Sequence, residues 1–299
     1  MAVRVIGIGD SMVDKNLDSG IMYPGGQSLN IPVNMKFLGA ESAFIGCFGN
    51  DYVAEHMKKT MDEIGIDYSH SHFYPVPNPA AHYRVIDNDR VFQRAPYKVH
   101  PMTRALFAML DYEGFSKEDM DYIKSFDFIH CSNDSGIEAY YEGFKNEGIK
   151  MSFDFSVYYD DKDREGKTML ERVAPNAYFV LLSCAHLTET ETQQKLVEAH
   201  TLGAKICIGT RGSKGSFCYD GDKFYHQPAH WLEDVVDTMG AGDAFISAFL
   251  YDFIENGGLE TEDREEIIKH ALDFAAEYSA NSCMVEGAFG YGVPYLSED

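Results

Sequence analysis

From about Val33 onward, segments with the patterns of strands and helices mostly alternate along this 299-residue chain. Short apolar runs predict buried strands, and most are followed by a helical pattern that stops at a glycine or a turn. This alternation is typical of a mostly parallel sheet with crossover helices, in an α/β domain that covers residues 1–299. The predicted strands cover residues 3–8, 43–48, 128–131, 150–155, 178–183 and 205–208, and the predicted helices cover 28–38, 52–64, 136–147 and 188–202.

Two stretches depart from this alternation. The first contains period-two segments joined by Asp87-Asn88-Asp89, with no helix between them. The second contains the turn Tyr23-Pro24-Gly25-Gly26, between the first strand and the first helix. We interpret them as strands that leave the main sheet and form a small β lid from residues 14–26 and 67–95.

The charge of the chain limits its partners. Asp and Glu number 48 against 25 Lys and Arg, which gives a formal net charge of −23. Nucleic acid is disfavoured as a partner, because its phosphate backbone requires a cationic surface. A nucleotide stays compatible, since backbone amides at a glycine turn bind phosphate without net positive charge.

The cysteines and the apolar runs indicate a cytoplasmic protein. The six cysteines have no CxxC spacing, and several lie in strand-like runs, as expected of reduced core residues. The first apolar segment is too short for a signal peptide, and no run approaches the ~18 residues that span a bilayer. We therefore expect no membrane partner.

The stretch Asp237-Thr238-Met239-Gly240-Ala241-Gly242-Asp243 puts a glycine turn directly before an apolar run, residues 244–254, that contains no helix breaker. Free N–H groups and the positive dipole end at a helix start favour an anion. Asp243 would lie in the first helical turn, where a carboxylate either complements the dipole or acts as a general base. The second acid, Asp237, and the two glycines favour the chemical role.

Further candidates follow predicted strands at the edge where open α/β sheets bind ligands. Asp10 and Asp14 can accept hydrogen bonds from sugar hydroxyls, or serve as a helix cap and a solvated loop acid. A glycine turn precedes the first helix, in which Asn30 would point toward the same edge. These candidates are Asp10, Asp14, Gly25, Gly26 and Asn30.

A second glycine-rich loop follows the strand at 205–208. Its glycines allow close approach of a nucleotide, although a plain turn has the same composition. The small residues of the segment 271–282 either leave room for a flat ring or pack tightly on the sheet. The Walker A, GxSxG and HExxH motifs and a complete GxGxxG are missing, which disfavours P-loop enzymes, hydrolases, zinc enzymes and dehydrogenases. The loop supplies Thr210, Gly212 and Gly215, and the segment supplies Ala276.

Taken in order, GGxxxN, Thr-x-Gly-x-x-Gly and DTxGAGD resemble the signatures of the ribokinase, or PfkB, family of carbohydrate kinases. The resemblance covers the chain from Val5 to about Pro294. It implies a three-layer α/β/α ribokinase-like domain with a central, mostly parallel sheet and a small β-sheet lid that often forms a homodimer interface. It also implies phosphorylation of a sugar hydroxyl by ATP with Mg²⁺.

The same resemblance assigns roles. Asp243 would accept the hydroxyl proton, and the amides of Gly240, Ala241 and Gly242 would surround the moving phosphoryl group. Asp237 matches a position near which many members hold a monovalent cation, usually K⁺. The acceptor site would consist of Asp10, Asp14, Gly25, Gly26 and Asn30 together with Arg84 and Asn88 from the lid, and the nucleotide site of Ser183, Thr210, Gly212, Gly215 and Ala276.

One motif departs from the family pattern, because Ser183-Cys184-Ala185-His186 stands where an Asn-x-x-Glu is usual. Glu189 and Glu191 are nearby substitutes with different spacing. The lid turn and the segment Phe153-Asp154-Phe155-Ser156 resemble the fructoselysine 6-kinase subgroup, which implies the 6-hydroxyl of a fructosamine as acceptor. The alternatives are a kinase for fructose, another ketose or a nucleoside, and a catalytically silent sugar-binding sensor.

Overall fold

The structure is a computed structural model that describes residues 2–86, 89–93, 106 and 109–296, with residue 89 described by its backbone alone. Within these ranges the strands are β1 (Arg4–Gly9), β2 (Met12–Asn16), β3 (Ile21–Gly25), β4 (Glu41–Phe48), β5 (His72–Phe73), β6 (Ala80–Ile86), β7 (Asp89–Gln93), β8 (Phe128–Ser132), β9 (Met151–Asp154), β10 (Phe179–Ser183), β11 (Ile206–Thr210), β12 (Ser216–Tyr219), β13 (Phe224–Gln227) and β14 (Val293–Pro294). The α-helices are α1 (Gln27–Phe37), α2 (Tyr52–Ile64), α3 (Met109–Glu113), α4 (Lys117–Ile123), α5 (Tyr141–Asn146), α6 (Met169–Val173), α7 (Glu189–Leu202), α8 (Ala241–Glu255) and α9 (Glu265–Ser282).

The described strands form a large and a small sheet. The large sheet has the order β13-β12-β11-β10-β9-β8-β1-β4-β5. Its strands from β11 to β5 run parallel, while β12 and β13 form an antiparallel edge. The predicted α/β architecture with a mostly parallel sheet is confirmed.

Separate hydrophobic cores cover the two faces of the large sheet. One core packs α1, α8 and α9 against the strands through residues such as Ile31, Phe249 and Leu272. The other packs α5, α6 and α7 against the opposite face through residues such as Phe144 and Leu196. The cysteines are all free, and five of the six are buried in this interior.

The small sheet has the order β14-β3-β2-β6-β7 and corresponds to the predicted lid. Two details differ from the prediction. Strand β5 pairs with β4 in the large sheet, so the second inserted piece contributes to the small sheet only from Ala80. The two-residue strand β14 is too short to carry a period-two signal.

Close packing brings α1 and α8 to the carboxyl ends of the strands. A Cβ at Gly7 of β1 would lie 2.0 Å from the Ser28 carbonyl oxygen, so only glycine lets α1 approach the strand this closely. Gly240 caps α8 in the left-handed region with φ 68°. A Cβ there would meet Ala288 at 2.8 Å, which ties the start of α8 to the C-terminal loop.

Candidate active site

Asp243 lies in the first turn of α8, as predicted, and its side chain is buried. Asn30 of α1 donates a hydrogen bond from Nδ2 to Asp243 Oδ2 at 2.7 Å. The other amide atom, Asn30 Oδ1, is buried without a hydrogen-bond partner among the described residues. A buried acceptor atom of this kind is satisfied when a ligand donates to it.

Asp10 and Asp14 occupy the start of the small sheet, where the chain leaves β1. Asp10 Oδ1 accepts from the Ser28 backbone N–H at 3.2 Å and from the Ser132 hydroxyl at 3.5 Å. Gly25 and Gly26 are needed for these two carboxylates, because a Cβ on either would lie 2.7 Å from a carboxylate oxygen, Asp14 Oδ2 or Asp10 Oδ2 respectively. The two glycines therefore make room for acids rather than only for a turn.

Asp154, at the end of β9, is a buried acid that the sequence motifs did not predict as a site residue. Its Oδ1 accepts from the Ser156 N–H at 2.7 Å. Ser156 has a φ of 48°, an unusual conformation for a residue with a side chain, and it follows the strand directly. Its position in the sequence could have identified Asp154, because it ends β9 at the same edge of the large sheet where Asp10 follows β1.

Asp10, Asp14, Asp154 and Asp243 together are called the carboxylate cluster. Burial raises the pKa of Asp10 to about 6, of Asp14 to about 7 and of Asp154 to about 6. Burial, with the negative charge of Asp154 next, raises the pKa of Asp243 well above its usual range. Carboxylates that resist ionisation because they are buried and close together are found at catalytic and cation-binding sites.

The start of α8 offers backbone N–H groups beside Asp243. The first helical hydrogen bond runs from Ala244 N–H to the Gly240 carbonyl at 2.7 Å. The Ala241 N–H already donates to the Thr238 carbonyl at 3.3 Å and therefore closes a turn. At Gly242 a Cβ would meet no atom within 4 Å, so this amide lies beside open space.

That space belongs to a cavity of about 460 Å³, called the large cavity here. It runs from the start of α8 to the ends of β10 and β11 and along α9. Of the residues predicted for a nucleotide, Ser183, Thr210, Gly212, Gly215 and Ala276 line it. The large cavity also contains Trp231, the single tryptophan of the chain, which is 77% exposed.

The two glycines of the predicted nucleotide loop have different roles. At Gly212 a Cβ would meet nothing within 4 Å, so a ligand can approach the backbone there. At Gly215 a Cβ would lie 2.2 Å from the Gln227 carbonyl oxygen. Gly215 is therefore required mainly for the close approach of its loop to the end of β13, although it also lines the large cavity.

Glu189 and Glu191, named as substitutes for the missing acid of the Asn-x-x-Glu motif, have structural partners. Glu191 accepts from the Thr188 N–H at 2.8 Å in a capping box at the start of α7. Glu189 pairs with Arg211 at 3.3 Å, and that arginine also donates to the Leu187 carbonyl. Among the described residues, no group of three or more His, Cys, Asp or Glu side chains is arranged to hold a metal ion.

Arg84 and Tyr83 lie on opposite faces of the small sheet, because successive residues of a strand alternate between its faces. Arg84, predicted for the acceptor site, is exposed and forms an ion pair with Asp18. Tyr83 lies on the face of Asp14, and the Arg90 guanidinium stacks 5.5 Å from its ring. Asn88 and Asp87 lie outside the described residues.

Asp237, predicted beside a monovalent cation, has its carboxylate engaged by the protein. It forms an ion pair with Arg90, and both side chains are 13% exposed. It also accepts from the Gly287 N–H at 2.8 Å and from the Met239 N–H at 3.1 Å. The Asp237 carboxylate already accepts from a guanidinium and two N–H groups. These partners are hydrogen-bond donors, so they supply no oxygen ligand for an additional K⁺ ion.

Known proteins resemble this arrangement in sequence and fold. The chain matches the family described as pfkB family carbohydrate kinase over residues 5–288. It is 35% identical over 303 residues to the fructosamine kinase FrlD of Bacillus subtilis (strain 168), which covers 99% of this chain and 96% of that protein. It is 30% identical over 244 residues to the fructoselysine 6-kinase of Escherichia coli (strain K12), at 81% and 86% coverage. The structure of aminoimidazole riboside kinase from Salmonella enterica, with aminoimidazole riboside and an ATP analogue, matches with a TM-score of 0.70, at 22% identity over 95% of each chain.

The fold and the match define a ribokinase-like carbohydrate kinase, a phosphotransferase with an alcohol group as acceptor. The chain belongs to the pfkB family, as its motifs predicted. In the part of the chain that the structure describes, no helix has the length and apolar character needed to cross a membrane.

Proposed function

We propose that the protein transfers the γ-phosphoryl group of ATP to the 6-hydroxyl of fructoselysine or a closely related fructosamine, with Asp243 as the general base. The observation that supports the proposal is the carboxylate cluster, which brings four buried acids together at the edge of the sheet proposed for the acceptor. The names of the two relatives, a fructosamine kinase and a fructoselysine 6-kinase, support the same acceptor class.

Charge favours an amine-bearing sugar over a neutral one. Ionising several buried acids close together is unfavourable, as the raised pKa values of Asp10 and Asp14 indicate. A neutral ketose leaves this repulsion in place. A fructosamine brings a protonated amine whose hydrogen bond to a carboxylate is charge-assisted, worth about 1.5–3 kcal/mol.

The reaction requires little covalent participation of the protein. The 6-oxygen attacks the γ-phosphorus, the bond from that phosphorus to the β,γ-bridging oxygen breaks, and ADP leaves. Asp243 takes the hydroxyl proton, and its buried position next to Asn30 holds the carboxylate in one orientation. The amide of Gly242, which lines the large cavity, and the positive end of α8 stabilise charge on the moving group.

The large cavity provides the donor site. Its volume of about 460 Å³ suits a nucleotide, and Gly212 lets phosphates approach the backbone. Mg²⁺ enters such sites mainly through the nucleotide phosphates, completed by water and one or two carboxylates. Asp154, the buried acid whose charge acts on Asp243, would provide such a ligand.

A comparison of two acceptors that differ only in the amine tests the proposal. We expect 1-amino-1-deoxyfructose to be phosphorylated with a kcat/KM roughly 10–100 times that of fructose, because the amine adds a charged hydrogen bond. Coupled ADP release measures the rates, and ³¹P–¹³C NMR of the product identifies the phosphorylated carbon. Fructoselysine, glucoselysine, ribose and nucleosides complete the series.

The Asp243→Asn variant is the control for chemistry in the same assay. Equal kcat/KM values for the amine sugar and fructose contradict the proposed acceptor class while leaving the kinase activity intact. No ADP release with any acceptor favours the binding-protein alternative instead.

A homodimer through the lid is part of the proposal. It is supported by exposed apolar side chains on the β6–β7 hairpin, at Val85, Ile86, Val91 and Phe92. Strand β7 is an edge of the small sheet, and exposed apolar edges of this kind favour association.

A further inference from the structure

We propose that the Arg90 guanidinium serves as a built-in cation for Asp237 and holds the turn before α8 in place without a monovalent metal ion. The inference rests on the proposed binding of ATP at that turn. Arg90 is then a positioning residue for the phosphoryl site, supplied by the small sheet that also covers the acceptor.

Asp237 is a junction of three segments. It begins the turn whose residue Gly240 caps α8. Its own N–H and that of Val236 donate to the Cys283 carbonyl at 3.0 and 2.9 Å, which joins the turn to the end of α9. Its carboxylate receives the Gly287 N–H at 2.8 Å, which adds the C-terminal loop.

The small sheet contacts the same junction twice. Arg90 of β7 forms the ion pair with Asp237, and Tyr23 of β3 packs against the loop. A Cβ at Gly287 would lie 2.7 Å from the Tyr23 ring, so loop and sheet are in direct contact. The position of the small sheet is therefore mechanically connected to the turn that would bind the phosphoryl group.

Independent contacts support this position of Arg90. Its guanidinium stacks over the Tyr83 ring at 5.5 Å, a favourable cation–π distance. Burial raises the pKa of Asp14, and the positive charge of Arg90 counteracts that increase, so Arg90 lies close to the carboxylate cluster as well. One arginine thus faces both the acceptor site and the turn.

The donors around Asp237 disfavour a metal ion there. A monovalent cation needs oxygen lone pairs, whereas the Asp237 carboxylate is surrounded by the N–H groups of Met239 and Gly287 and by the guanidinium. A second positive charge against Arg90 at this low exposure is repelled strongly. We therefore expect K⁺ independence from this chain.

The test compares Arg90→Ala with the matched control Arg84→Ala, which removes the neighbouring but outward-facing arginine of the same hairpin. Initial rates are measured in KCl and in tetramethylammonium chloride at equal ionic strength. Binding of MgADP is followed separately through the fluorescence of Trp231, the single tryptophan. This second readout needs no acceptor, so it stays valid if the proposed sugar is wrong.

For the unchanged protein and for Arg84→Ala, we expect rates and MgADP affinity in the two salts to agree within about twofold. For Arg90→Ala in tetramethylammonium chloride we expect the initial rate to fall roughly 100-fold. A small displacement of the turn that positions a reacting group has an effect of this size. K⁺ should raise the rate of Arg90→Ala at least tenfold, because the Asp237 carboxylate, no longer paired with Arg90, can then bind a cation. Arg90→Lys keeps the charge and should retain most of the rate without K⁺.

Two results overturn the inference. One is a tenfold or larger stimulation of the unchanged protein by K⁺. The other is an Arg90→Ala variant that behaves like Arg84→Ala in both salts. If Arg90→Ala does not fold, as judged by circular dichroism, Arg90→Gln replaces it, and a loss that K⁺ fails to reverse then contradicts the proposal.

Discussion

The proposed acceptor side and the proposed nucleotide side of the site differ in burial and polarity. The carboxylate cluster is buried and acidic, and it accepts hydrogen bonds from the side chains of Asn30 and Ser132 and from the backbone N–H groups of Ser28 and Ser156. The large cavity is open and lined mainly by small residues, glycine backbone and the exposed Trp231. Substitutions on the first side therefore change charge in a desolvated place, while those on the second change shape.

This difference predicts how the two proposed sides would contribute to substrate selectivity. Desolvated charges reject a wrongly charged acceptor by several kcal/mol, since burial weakens solvent screening. An apolar cavity discriminates between ligands of different size by only about 1–3 kcal/mol per methylene group. The acceptor side is thus expected to define the substrate, and the nucleotide side to tolerate variation.

The largest expected effect is at Asp243, where the two sides meet. Asp243→Asn should lower kcat by roughly 10²–10⁴-fold, the usual loss with a general base. MgADP affinity should stay within about twofold, because the amides and the large cavity are unchanged. Rates and Trp231 fluorescence titrations measure the two quantities.

Asp252→Asn is the matched control, since Asp252 lies on the same helix and both residues are 6% exposed. Its carboxylate pairs with His270 at 2.8 Å, away from the helix start. We expect reduced stability but a rate within a fewfold of normal. An Asp243→Asn variant that keeps a tenth of the activity removes Asp243 from the role of base.

The second largest effect is on the free energy of unfolding, which we expect to be reduced by ionisation of the buried Asp154. Burial raises its folded pKa to about 6, above the usual 3.8. The protonated form is therefore favoured by folding, and this stability is present below about pH 4 and lost as the pH rises through 6. Asp154→Asn should match the unchanged protein near pH 4 and exceed its free energy of unfolding by about 3 kcal/mol at pH 8.

The melting temperature in the absence of ligands, measured between pH 4 and 8, checks this. We expect a rise of roughly 5 °C at pH 8. The control Asp163→Asn has the opposite sign: burial raises the pKa of Asp163, but backbone donors from Lys167 and Glu165 outweigh burial and lower it. That variant should lose stability above pH 4. If Asp154→Asn destabilises the protein at pH 8, ionisation of the buried Asp154 does not reduce the stability of the fold.

The parts of the fold and site that the sequence predicts are those defined by local patterns. Helix α2 has the predicted bounds because Asp51 caps its start and Gly65 ends it at φ 82°, both local signals. The turn before α8 is equally local. Asp154 and Arg90 were not predicted as site residues, because their roles depend on partners from distant elements.

The position of Arg84 also depends on pairing between elements. Alternation along β6 separates its residues into two faces, but the pairing of Asp14 with Ala81 decides which face meets the site. The role of Gly215 likewise depends on the Gln227 carbonyl of another strand. Sequence patterns identify chemistry-bearing positions, whereas register and close approach between elements assign them to a site.

The smallest expected effect is on the nucleotide side, at Ala276 of α9. Ala276→Leu projects a larger side chain into the large cavity, and alanine and leucine both favour helices, so the helix itself should persist. We expect the KM for ATP to rise roughly tenfold, equivalent to the loss of about 1.4 kcal/mol of contact, with kcat and the acceptor KM unchanged. The control Glu277→Leu places the same side chain on the exposed face of α9 and should leave all three constants unchanged. If Ala276→Leu instead lowers kcat as strongly as Asp243→Asn, the two sides are not separable, because a change of shape at the large cavity then disturbs the charged side as well.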